Sequence, residues 1–131
     1  MKICGIELKS NNLILAVTDD KQYMDTNIKK ITLKDDEEQT GIRTFCNELL
    51  VFLEKEKIDK VVIKKRAKKG NFAGGAITFK MEALIQLNPF CEVELVSSQT
   101  ISSFEKKNSI EFPDKLNKYQ EQAYLSALCI S

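Results

Sequence analysis

Ten residues between positions 64 and 80 combine the types and spacing that hold an anion: Lys64, Lys65, Arg66, Lys68, Lys69, Gly70, Phe72, Gly74, Gly75 and Lys80. Backbone N–H groups of a glycine loop that runs into a helix N-terminus form an anion-binding concavity, and neighbouring cations strengthen it. Phe72 adds a ring on which an exposed base could stack. The spacing does not fit Gly-x-x-x-x-Gly-Lys-Ser/Thr, so a P-loop is not supported. The plainer reading of the same stretch is a solvated lysine-rich loop whose glycines permit a sharp turn.

The charge balance makes this segment stand out. The chain carries 20 Lys and Arg against 19 Asp and Glu, for a net charge of +1. Residues 60–80 hold seven of those bases (Lys60 is the first) and no acid, so the rest of the chain is net acidic. Such a concentration attracts polyanions without regard to sequence.

Other chemistries are excluded by composition. There is no histidine, and the four cysteines stand alone at 4, 46, 91 and 129. Ordinary zinc-ligand spacing is therefore absent, as are Ser-His-Asp and Cys-His nucleophiles. Cys4, Cys46 and Cys129 read as small reduced core residues. Reaction chemistry would have to rest on carboxylates, lysines or a metal held by oxygen. No apolar run approaches the ~20 residues of a membrane span, and the start of the chain does not read as a signal peptide. A cytoplasmic location is the expectation, with no membrane partner.

The elements that must position these residues follow from hydrophobic period. At 131 residues the chain reads as a single domain, 1–131, with 43% hydrophobic residues to build a core. Residues 2–9 alternate as a strand, with Ile3, Gly5 and Glu7 on one face and Cys4, Ile6 and Leu8 on the other. A turn at Ser10-Asn11-Asn12 leads to a second strand over 13–18, and a third is placed at 28–33. Ile42, Phe45, Cys46, Leu49 and Leu53 form one helical stripe behind the acids 35–38. The run 59–64 reads as a buried strand, 66–75 as a loop, 76–86 as a helix and 92–96 as a strand. Ser97 and Ser98 cap a short helix through Phe104, and a last helix covers 115–130. The order βββαβαβα predicts an α/β fold with a five-stranded mixed sheet.

Four strings carry a family resemblance: Cys4-Gly5-Ile6-Glu7, Asp59 through Lys64, Lys69 through Gly75, and Phe79 through Ala83. Over essentially its whole length the chain resembles a bacterial family of uncharacterised proteins, the domain-of-unknown-function family 3010. More distantly, the element order is similar to that of the RuvC-type Holliday-junction resolvases, and so to a ribonuclease-H-like fold.

That second resemblance implies carboxylates from the first strand, from the end of the fourth strand and from the last helix, gathered around divalent cations. Here Glu7 stands at the first-strand position and Glu121 at the first acid of the last helix. Lys64 replaces the fourth-strand acid, and Tyr124 replaces the second acid of the helix. If Glu7, Lys64 and Glu121 converge, the ammonium takes the place of the cation, since two-metal cleavage needs more carboxylate than remains. The resulting expectation is a nucleic-acid-binding domain with a degenerate resolvase-like site and neither metal nor other cofactor. One rival is a Mg²⁺-dependent nuclease. The other is a protein-interaction or small-phosphate module, a homodimer with its basic loop facing an acidic partner.

Overall fold

A computed structural model of the chain describes residues 1–66 and 75–130. Strand β1 (Lys2–Lys9) turns at Ser10 and Asn11 into β2 (Asn12–Asp19), pairing antiparallel from Lys2↔Asp19 to Lys9↔Asn12. The next turn has Asp20 and Lys21 both at positive φ, 49° and 70°, the backbone that matches the twist of a two-residue hairpin. It leads into β3 (Gln22–Met24).

The third strand expected at 28–33 is shortened to Lys30–Thr32, and a further short strand at Gln22–Met24, outside the expected range, shares its position in the sheet. β3 pairs with the Val17–Asp19 end of β2, and β4 (Lys30–Thr32) pairs with its Asn12–Ile14 end. Between them residues 25–28 leave the ladder, and the Lys29 carbonyl rejoins it by accepting from the Leu15 N–H at 3.0 Å. Thr26 Oγ1 donates to the Ile28 carbonyl at 2.7 Å, and Lys29 Nζ donates to the Thr26 carbonyl at 2.7 Å. Together β3 and β4 fill one strand position, so the sheet has six strands in five positions, ordered β3/β4-β2-β1-β5-β6.

Helix α1 (Gln39–Lys55) follows, then β5 (Lys60–Lys64), which lies between β1 and the sheet's last strand and runs parallel to β1. Helix α2 (Ala76–Gln86) leads to β6 (Glu92–Val96), parallel to β5 and last in the sheet. Helix α3 (Ser98–Asn108) starts at a Ser97 cap whose Oγ accepts from the Thr100 N–H at 3.1 Å. It runs a turn beyond Phe104 and stops at Ser109 in the left-handed region, φ 44°.

Helix α4 (Glu121–Ile130) begins later than the expected residue 115. A 3-10 turn over Lys118–Gln120 precedes it, fixed by a reciprocal cap in which Gln120 Oε1 accepts from the Asn117 N–H at 3.0 Å.

Strand alternation sorts the core into two layers. Cys4, Ile6, Leu8, Val61 and Ile63 meet Phe45, Leu49, Phe52 and Leu53 of α1 and Met81 and Ile85 of α2. On the opposite face Ile3 and Val62 meet Leu125 and Ala127 of α4 and Ile101 of α3. Ile14 and Ala16 of β2 meet Ala123, Tyr124 and Leu128 of α4. No described helix is long and apolar enough to cross a membrane.

Candidate functional site

Glu7 and Lys64 are brought together by sheet register. The parallel pairing of β1 with β5 sets Gly5 beside Val62 and Ile6 beside Ile63, so the next residues, Glu7 and Lys64, stand side by side on the α4 face. Lys64 Nζ lies 3.6 Å from Glu7 Oε2 and donates to Gln122 Oε1 at 2.9 Å. Both charged side chains are mostly enclosed, 23% exposed for Lys64 and 19% for Glu7.

Gly5 permits this closeness. A Cβ there would lie 1.9 Å from the Ala123 carbonyl oxygen, so only hydrogen lets α4 rest on β1 and bring its first turn to Glu7.

The helix residue that reaches Lys64 is Gln122, not Glu121. Successive helical residues point about 100° apart, so the neighbour of a contacting residue faces elsewhere. Glu121 is half-buried and makes no hydrogen bond or ion pair with Lys64 or Glu7. Tyr124 points away toward β2 and β3, with its ring 5.9 Å from that of Tyr23 and edge-on to it.

The cluster is thus one carboxylate, one amide and one ammonium. Divalent cations of the magnesium type require several anionic or neutral oxygen ligands, and an ammonium among them opposes the charge. These residues do not fit such an ion. Among the described residues no group of three Asp, Glu, Cys or His side chains converges as a metal site.

The basic segment is distributed more widely than its sequence suggests. Lys60 Nζ meets Glu94 Oε1 at 2.7 Å, and that hydrogen bond raises the lysine's pKa above its ordinary value. Arg66 Nη1 is hydrogen-bonded to Glu82, and the guanidinium lies 3.6 Å from the centre of the Phe79 ring. Lys80 Nζ donates to the Asp36 carbonyl at 2.5 Å, with the Asp36 carboxylate at 3.4 Å. Lys65 is exposed, its backbone N–H bonded to the Val96 carbonyl at 2.7 Å, and its ammonium meets no acid among the described residues. Four of the five described cations of this stretch therefore have an acid of the chain beside them.

Gly75 is the exposed N-cap of α2, with an ordinary extended backbone at φ −74° and open space where a Cβ would go. Lys68, Lys69, Gly70, Phe72 and Gly74 lie outside the described residues.

The family model described as "Protein of unknown function (DUF3010)" matches residues 1–130. The chain belongs to the DUF3010 family. No curated protein matches this DUF3010 chain. Among solved structures, Thermus thermophilus RuvC superposes with a TM-score of 0.70 at 11% identity, over 98% of this chain and 92% of that one. The same T. thermophilus RuvC in complex with Holliday junction substrate gives 0.68 at 12% identity, over 98% and 91%. At that identity the likeness establishes the fold alone, and the DUF3010 chain has the RuvC-like, ribonuclease-H-like α/β architecture.

Sequence reading missed two participants. Gln122 sits one residue from the expected position, and its amide gives no signal in composition or charge. Glu82 lies two residues past the basic segment, and nothing in the sequence sets it against Arg66.

Proposed function

We propose that the chain is a nucleic-acid-binding domain that reads the phosphate backbone and cleaves nothing, its resolvase-like position filled by its own lysine. The observation that carries this reading is the Lys64 ammonium, 3.6 Å from Glu7 and 2.9 Å from Gln122 at the carboxyl end of β5. A cation fixed there removes the ligand set for a hydrolytic metal. In open α/β sheets that end of the strands is also where ligands bind. Lys65 beside it is exposed and unpaired among the described residues, and Lys68 and Lys69 follow in the sequence.

Pairing of the other bases bounds the electrostatics. With Lys65, Lys68 and Lys69 as the phosphate contacts, the slope of log affinity against log salt on duplex DNA is roughly −2.7, much shallower than seven cations would give.

The test titrates salt against labelled duplex, branched DNA, single strands and an RNA–DNA hybrid, with EDTA, Mg²⁺ or Mn²⁺. Binding with that slope, insensitive to EDTA and lost on replacing Lys65, Lys68 and Lys69 by Glu, is the expected result. Cleavage in Mg²⁺ or Mn²⁺ that disappears in Glu7→Gln establishes a nuclease instead. Absence of binding to all four probes leaves a protein or small-phosphate partner.

A further inference from the structure

We infer that Arg66 is a positioning residue, holding the first two turns of α2 against the carboxyl end of β5 rather than contacting a ligand. Three features of its surroundings carry this. Its Nη1 is committed to Glu82, with side chains 8% and 12% exposed, so the pair is almost entirely enclosed. Its guanidinium carbon lies over the Phe79 ring, 3.6 Å from the ring centre. Its Nε is buried and has no acceptor among the described residues, so that edge of the guanidinium faces inward.

Phe79 and Glu82 are three apart on α2, one above the other on the same side of the helix. A single flat, rigid side chain therefore grips two helical residues at once, one through its face and one through its edge. Lysine, a point charge on a flexible stem, could not make both contacts. Arg66 itself is fixed from behind, because the Lys65 N–H bonded to the Val96 carbonyl carries the β5–β6 ladder one residue past Lys64. The chain is thus tied at Arg66 before the basic residues 68 and 69, and at Phe79 and Glu82 after them. The cluster sets the separation and direction of the two ends from which that stretch departs.

The binding arm of the test rests on the proposed nucleic-acid reading, whereas the exchange arm does not. Arg66→Met, Glu82→Met and the double variant are compared with wild type. Affinity for duplex DNA is measured on folded protein across a salt series, and amide hydrogen exchange is followed at residues 76–80. A positioning role predicts that each single variant weakens binding roughly tenfold with an unchanged salt slope. The double variant should then be no weaker than the poorer single, because the two residues act as one unit. Exchange at 76–80 should quicken severalfold in both singles.

The decisive sign belongs to Glu82→Met. Removing an acid beside a polyanion site tightens binding if charge alone matters, and loosens it if Arg66 needs that partner to hold α2. Tighter binding in Glu82→Met, or a slope that falls by about 0.9 in Arg66→Met, makes Arg66 a phosphate ligand and overturns the inference. Unchanged exchange at 76–80 in both singles overturns it as well, whether or not wild type binds nucleic acid. A wild type that binds nothing while the variants still loosen α2 removes the nucleic-acid reading and keeps the positioning role.

Discussion

Gly5 and Ala123 touch through hydrogen and carbonyl oxygen, where a Cβ on Gly5 would stand 1.9 Å from that oxygen. The contact puts α4 directly on β1 and aligns Gln122 with Lys64. Gly5→Ala must push the helix off the sheet, and overpacking against backbone has no flexible side chain to absorb it. A loss of about 3 kcal/mol or more in urea unfolding is the expected outcome.

Restoring carboxylates to the Lys64 cluster should restore metal affinity. Lys64→Asp with Gln122→Glu sets two new acids beside Glu7, three anionic groups where one carboxylate now faces an ammonium. Mn²⁺ should raise the melting temperature of this double variant in proportion to the logarithm of its concentration and leave wild type unmoved. A wild-type shift of equal size would show that the ammonium does not exclude the ion.

Gln120 holds the start of α4 from inside the core. It is fully buried, with its Nε2 donating to the Leu15 carbonyl at 2.9 Å and its Oε1 accepting from Asn117. Gln120→Ala leaves a cavity and strands those partners, a loss of about 2–4 kcal/mol by urea titration. The Asn117 cap goes with it, so α4 should fray from its first turn.

Alkaline instability follows from the buried thiols. Burial raises the Cys4 thiol well above its ordinary 9.0, and burial also raises Cys91 and Cys129. The unfolded chain therefore releases these protons at lower pH than the folded one. The sign is fixed: stability is complete below pH 9.0 and falls as pH rises above it, by about 1.4 kcal/mol per pH unit for each proton withheld. Urea titrations at pH 8, 9 and 10 read this slope, and Cys4→Ala should flatten it while lowering its starting value.

The core was legible in the sequence because it is written in short periods. The two faces of β1 and the α1 stripe fall where alternation and the i, i+3, i+4 pattern put them, with Phe45, Leu49 and Leu53 buried. The edge was not legible, because β3 and β4 divide one strand position around an interruption at 25–28 that no hydrophobic period marks.

At the site, Glu7 and Lys64 were readable as strand ends, whereas the choice of Gln122 over Glu121 depends on where α4 begins. The Asn117–Gln120 cap sets that start, six residues after the expected one. Charge counting failed for a different reason. Lys60, Arg66 and Lys80 find Glu94, Glu82 and Asp36 only after the chain folds, and such partners are invisible to a running sum along the sequence.

The outermost strand has a consequence for solubility. β6 ends the sheet, so one side of its backbone offers amides and carbonyls to any passing strand. Glu92 and Glu94 project from it, and two such rims approaching each other would set acid against acid. The ion pair with Lys60 holds Glu94 in place on that edge strand. Replacing both glutamates by valine should turn that rim into a seed for aggregation, visible as a thioflavin signal stronger than that of wild type under the same conditions.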